Sequence, residues 1–226
     1  MNKDYKGPNL KLIKNKYPQL YDFAKKYEND GYVIIQLRDF EGCNSKIIND
    51  INSIVNENNF KKNPNYYHYN ESPRIVEAWK KSKAIKQLAL NKYILEVLEV
   101  FYLTKPLPFS TINFLRGTEQ PLHSDYIHFG SNPELFLAGV WVALEDVSID
   151  SGPLSVVKGS HKTPIISFQD LGFKSAPKTT KELKMMYTSY EEYLKKYIDL
   201  NELELTTPIL KAGEALIWQA NLFHGA

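Results

Sequence analysis

At Lys105-Pro106-Leu107-Pro108 the hydrophobic period of this chain changes, and that change bounds its fold. Before it, apolar residues recur at helical spacing in three stretches. They are Leu20, Phe23, Ala24 and Tyr27; then Ile47, Ile48, Ile51, Ile54 and Val55; then Ile85, Leu88, Ala89, Ile94, Leu95, Leu98 and Phe101. That spacing puts each set on one helix face. Proline lacks the amide hydrogen a helix needs, so the third helix, read over 84–103, ends there. After the prolines come short β-branched and aromatic runs, 109–115, 122–127, 135–144, 154–157 and 215–218. Turn residues separate them, among them Arg116-Gly117-Thr118-Glu119, Ser131-Asn132-Pro133, Asp150-Ser151-Gly152-Pro153 and Ala212-Gly213-Glu214. Helices first and strands after argue for an α+β fold with a pair of antiparallel sheets. A double-sheet jelly roll, or double-stranded β-helix, with the N-terminal helices packed outside the sheet fits that order best.

Details sharpen the layout. Residues 1–16 are polar around Gly7-Pro8 and read as a loosely held lead-in. Residues 18–29 read as a helix stopped by Gly31, and 32–37 (Tyr-Val-Ile-Ile-Gln-Leu) as a strand. Asn44 or Ser45 suits the cap of the second helix, and 56–70 reads as an Asn- and Tyr-rich loop. Residues 135–144 are almost continuously apolar, as a buried central strand would be. Residues 163–207 break the strand rhythm and read as an insertion, with 189–198 a helix inside it. The whole of 1–226 is read as a single domain.

Composition excludes several functions. Net charge is +2, which gives no argument for nucleic acid or an anionic membrane. No apolar run is long enough for a bilayer span, and the N-terminus lacks the apolar segment of a secretory signal. A cytoplasmic protein is expected. Cys43 is the only cysteine, so no internal disulfide forms, and it reads as a small, at least half-buried residue.

The chemistry centres on Gln120-Pro121-Leu122-His123-Ser124-Asp125. In an extended strand, side chains at i and i+2 share a face, so His123 and Asp125 would point at one spot. His224 follows near the end of a much later apolar run. Two histidines and one carboxylate on one face of a metal leave the opposite face open, the ligand set of non-haem Fe(II) oxygenases. A jelly roll can deliver such distant ligands to one mouth. His128 would lie on the opposite strand face, at the rim rather than on the metal. His68 sits in the Tyr-rich loop and reads as a surface residue.

The ordered fragments go further. Gln120–Asp125 is followed by Gly139-Val140-Trp141-Val142-Ala143-Leu144-Glu145-Asp146. Ser151-Gly152-Pro153-Leu154, Lys158-Gly159-Ser160-His161-Lys162 and Ala212-Gly213-Glu214 come next, and then His224-Gly225. From about Tyr32 to the end, this series resembles the phytanoyl-CoA dioxygenase family of Fe(II)/2-oxoglutarate-dependent oxygenases. The resemblance implies a double-stranded β-helix, and Fe(II) on His123, Asp125 and His224. It implies 2-oxoglutarate and O2 as cosubstrates and a small-molecule substrate. Trp141 then lines the 2-oxoglutarate pocket or serves as a core residue, and Gln120 touches cofactor or substrate or is an ordinary turn residue. His161 matches the family's loop, where it would bond backbone. An intact carboxylate at Asp125, where related halogenases have a small residue, favours hydroxylation or another oxidation.

Two departures stand out. The family carries an arginine on the strand after the distal histidine, which pairs with the far carboxylate of 2-oxoglutarate. This chain stops at Ala226, so that arginine and strand are absent, and a truncated chain is expected. Arg116 is the nearest substitute, with a surface turn as its plainer reading. Ala226 also stands where the family often has a small hydroxyl residue. The runner-up function is a non-catalytic metal-binding jelly roll, either a pseudoenzyme or a fragment. A cupin-type isomerase would use a tighter histidine cluster than this sequence offers.

Overall fold

The computed structural model describes residues 5–38, 40, 42–56, 66–69, 72–115, 117 and 119–226, with backbone alone at 66–69, 72 and 73. The helices are α1 (Leu10–Lys16), α2 (Tyr21–Asp30), α3 (Cys43–Asn56), α4 (Lys83–Ala89), α5 (Lys92–Tyr102) and α6 (Thr180–Leu200). The strands are β1 (Tyr32–Gln36), β2 (Tyr66–Tyr69), β3 (Ser72–Val76), β4 (Ile112–Phe114) and β5 (Ala138–Val142). They continue with β6 (Ser155–Val157), β7 (Leu205–Thr206), β8 (Glu214–Gln219) and β9 (His224–Gly225). Among the described residues they form three antiparallel sheets, ordered β1-β8-β5, β2-β3-β4 and β7-β6-β9. The α+β class with antiparallel sheets holds.

Strand alternation builds two cores on the faces of the first sheet. Ala215 and Ile217 of β8 face the N-terminal helices, with Ile13, Leu20, Tyr27, Val97 and Phe101. Leu216 and Trp218 face the other way, into a cluster with Tyr32 and with Val156 of β6. On β6 the next residue, Val157, packs with Tyr190, Leu194 and Ile198 of α6 and with Phe223. A side-chain period of two thus lets β6 bind the first sheet on one face and α6 on the other. Burying each such aliphatic side chain stabilises the fold by about 1.5–3 kcal/mol.

Several expectations change. The helix read over 84–103 is two helices, because Asn91 interrupts it. Its side chain accepts from the backbone of Tyr93 and Ile94 and caps α5. The lead-in is not loose. Asn9 caps α1, Ile13 is fully buried, and the Tyr5 ring stacks on Tyr102 at 4.1 Å. Residues 135–144 yield only β5, and that strand flanks its sheet while β8 takes the centre. β5 is half-buried throughout, whereas five of the six β8 residues are buried. The loop read over 56–70 contains β2. The helix inside the 163–207 segment is longer than 189–198, running the full length of α6 from its Thr179 cap.

Candidate metal centre

The site begins with a two-residue bridge. The His123 N–H donates to the His224 carbonyl at 2.9 Å, and the His224 N–H returns to the His123 carbonyl at 2.8 Å. Directly opposed residues bring their side chains together, and here the two imidazole centroids lie 4.5 Å apart. The extended stretch expected over 122–127 ends at Ser124, where the chain enters a 3-10 turn spanning Asp125–Ile127. Asp125 therefore opens a turn rather than continuing a strand. It still converges, because Ser124 keeps an extended backbone, at φ −107 and ψ 146. One ligand atom each from His123, Asp125 and His224 lies within 4.8 Å of the others. Asp125 Oδ1 stands 3.7 Å from His224 Nε2.

Both imidazoles are oriented by backbone carbonyls two residues before them. His123 Nδ1 donates to the Pro121 carbonyl and His224 Nδ1 to the Leu222 carbonyl, each at 2.9 Å. A carbonyl only accepts, so these contacts fix the tautomer and make Nε2 the lone-pair nitrogen of each ring. Burial pushes the His123 pKa down to about 3, with the nearby His224 adding to the effect. Burial likewise lowers His224 to about 4. Burial pushes the Asp125 carboxyl up, while His123 and the Trp218 indole oppose that rise. Two neutral imidazoles and one carboxylate, with their ligating atoms turned inward, fit a divalent first-row metal. They form the one cluster of three or more His, Cys, Asp or Glu with such geometry among the described residues.

The surrounding residues complete the picture. Gln120 Nε2 donates to His123 Nε2 at 3.2 Å, and Arg74 of β3 donates to Gln120 Oε1 at 2.6 Å. Trp218 Nε1 donates to Asp125 Oδ2 at 2.9 Å. The Tyr190 hydroxyl from α6 bonds Ser124 Oγ at 3.0 Å and accepts from its backbone N–H at 3.3 Å. His128 sits at the rim, as expected, its ring 5.1 Å from His123 and its Nδ1 bonded to the Tyr187 hydroxyl at 3.0 Å. Trp141 is half-buried and packs with the cluster that holds Trp218. His161 lies apart from the centre and donates through Nε2 to the Glu28 carbonyl, backbone as expected. Cys43 is half-buried and free. Arg116 and the side chains of Tyr66, Tyr67, His68 and Tyr69 fall outside the described residues. Sequence reasoning missed Arg74, Tyr190 and Trp218 as neighbours of the centre. Only Trp218 carried a usable signal, since it alternates with Ala215 and Ile217 on β8.

A helix-covered antiparallel fold around two buried histidines and a carboxylate offers the donor set of the two-histidine, one-carboxylate class of metal sites. The chain belongs to the phytanoyl-CoA dioxygenase (PhyH) family, whose model matches residues 27–226. That family is Fe(II)- and 2-oxoglutarate-dependent, and the protein is an oxygenase-type enzyme of that class. No curated relative matches by sequence. Among solved structures, the fold is similar to EctD from S. alaskensis with 2-oxoglutarate and 5-hydroxyectoine bound. The TM-score is 0.68 at 18% identity, covering 93% of this chain and 71% of that one. It is also similar to the α-ketoglutarate-dependent epimerase SnoN from nogalamycin biosynthesis, at TM-score 0.60 and 19% identity, covering 92% and 77%. The carbocyclase SnoK of the same biosynthesis gives TM-score 0.61 at 16% identity, covering 88% and 74%. No helix among the described residues is long and apolar enough to cross a membrane.

Proposed function

We propose that this chain is an Fe(II)- and 2-oxoglutarate-dependent dioxygenase that hydroxylates a small organic molecule. Its scaffold is one jelly-roll domain over 1–226, with the first and third sheets as the two walls of a double-stranded β-helix and 163–207 as an insertion. His123 Nε2, Asp125 Oδ1 and His224 Nε2 would hold the iron. The observation that carries this is the pair of Nδ1 contacts to Pro121 and Leu222, which leave Nε2 as the ligating nitrogen of both rings, in a cluster where one ligand atom each of His123, Asp125 and His224 lies within 4.8 Å of the others.

When bound, iron and 2-oxoglutarate supply the activation of dioxygen and the oxidising power to break a C–H bond. The protein's residues do the rest. Three ligands on one face leave the opposite face for 2-oxoglutarate and O2. Gln120 stands against the ligand atom of His123, and Arg74 behind it brings a guanidinium suited to a carboxylate. Trp141 lines the same inner face as Trp218 and shields the cofactor pocket from water. His128 and Tyr187 form a polar-aromatic rim on the substrate side. The intact Asp125 favours hydroxylation. EctD binds 5-hydroxyectoine, a hydroxylated small molecule, while SnoN is an epimerase, so the neighbours span more than one outcome.

The test is anaerobic titration of the Fe(II)-loaded protein with 2-oxoglutarate, followed by visible absorption. A charge-transfer band is expected as the chelate forms. Bound metal without any band would sink the oxygenase reading and leave a metal-binding protein.

A further inference from the structure

We infer that Trp218 is a positioning residue that dictates how Asp125 meets the metal. Its indole N–H occupies Oδ2, so Oδ1 alone faces the ion and the carboxylate is held monodentate. This rests on the metal centre proposed above.

Three observations on different strands support it. The indole N–H donates to Asp125 Oδ2 at 2.9 Å, while Asp125 Oδ1 is the oxygen turned toward His224 Nε2, at 3.7 Å. The indole is nearly enclosed, 9% exposed, with its ring 4.9 Å from the His224 ring. Its seat is made by a missing side chain. Gly139 of β5 pairs with Trp218 across the sheet. A Cβ at Gly139 would stand 2.1 Å from indole Cε2, 2.2 Å from Cζ2 and 2.6 Å from Nε1. No side chain fits there while the indole does, so Gly139 is the slot that lets the N–H reach Asp125.

The chemical consequence is a coordination count. A carboxylate with both oxygens free can chelate an ion and take two positions on it. The proposed reaction needs two positions for 2-oxoglutarate and one for O2 beside three protein ligands. Tying Oδ2 to a buried donor keeps that face open. A partner that orients a ligating carboxylate acts on affinity and geometry together.

The experiment uses the whole chain and Co(II) as a spectroscopic probe without oxygen chemistry. Trp218 is replaced by benzothienylalanine, which keeps the bicyclic shape and puts sulfur where the N–H was. Trp218→Phe and Gly139→Ala are made alongside it. Co(II) affinity is expected to fall about 10–100-fold in the benzothienyl protein. The metal-free melting midpoint should stay close to that of the parent. Its visible d–d spectrum should change, because a second carboxylate oxygen replaces a water on the ion. Gly139→Ala should reproduce the loss by displacing the indole. A benzothienyl protein that binds Co(II) as tightly as the parent, with the same spectrum, would overturn the role of Trp218. Weaker binding with an unchanged spectrum would overturn the monodentate assignment. A parent chain that binds neither Co(II) nor Fe(II) would instead remove the metal centre itself.

Discussion

At the scale of single residues, the centre is a set of buried polar groups whose remaining partner would be an ion. His123→Ala and Asp125→Ala should each abolish Fe(II) binding, read by anaerobic calorimetry, while the metal-free melting curve stays cooperative. Unchanged affinity in both would remove these residues from the ligand set. Trp141 tests a different contact. It is half-buried, so Trp141→Ala should cost toward the low end of the about 3–5 kcal/mol typical for deleting a buried aromatic. It should also raise the 2-oxoglutarate concentration needed for half-maximal band formation. A stability loss with no change in that concentration would make Trp141 a core residue only.

At the scale of elements, two connections decide where the site sits. Asn91 restarts the helix at α5, and α5 supplies Val97 and Phe101 to the core behind β8. Asn91→Ala removes the acceptor for two backbone N–H groups and should cost about 1 kcal/mol. The urea midpoint should move with no change in slope. The second connection is α6, whose Tyr190 hydroxyl holds Ser124 between the two ligands of the first motif. Tyr190→Phe leaves a buried Ser124 hydroxyl and amide short of a partner and should cost about 1–3 kcal/mol. Metal affinity should fall as well, since Ser124 sets the direction of both His123 and Asp125. If affinity held while stability fell, α6 would be a cover for the third sheet and nothing more.

At the scale of the whole molecule, the buried histidines make stability depend on pH in a known direction. His161 links the loop after β6 to α2, and burial lowers its pKa from 6.5 to about 4, with Lys162 adding to this and Asp30 opposing. The unfolded chain takes up a proton near pH 6.5, while the folded one holds His161 neutral to about pH 4. The unfolded state therefore binds more protons in that window. Stability is fully present above it and falls as pH drops through it. His123 and His224 contribute with the same sign in the metal-free protein, and the raised Asp125 opposes them. The metal-free melting midpoint should drop between pH 7 and pH 5, and His161→Gln should flatten that slope. A slope identical to the parent's would show that His161 is solvated in the folded state.

The class of the fold was legible because period is local. Helical spacing before Pro106 and short β-branched and aromatic runs after Pro108 each follow from a few neighbouring side chains. The candidate ligands were legible too, since His123 and Asp125 lie close together in sequence and His224 ends a recognisable series. Asn91 shows the limit, because an apolar pattern continued through a cap that the side chain's own hydrogen bonds decide. Which strand takes the centre of the first sheet depended on what covers β5 and β8, and a strand's own residues do not state that. Arg74, Tyr190 and Trp218 reach the centre through pairings between distant segments. The sequence by itself determined which groups could bind a metal. Only the tertiary structure decided how those groups converge, because the His123–His224 bridge joins two distant segments and Trp218 and Tyr190 reach Asp125 and Ser124 from β8 and α6.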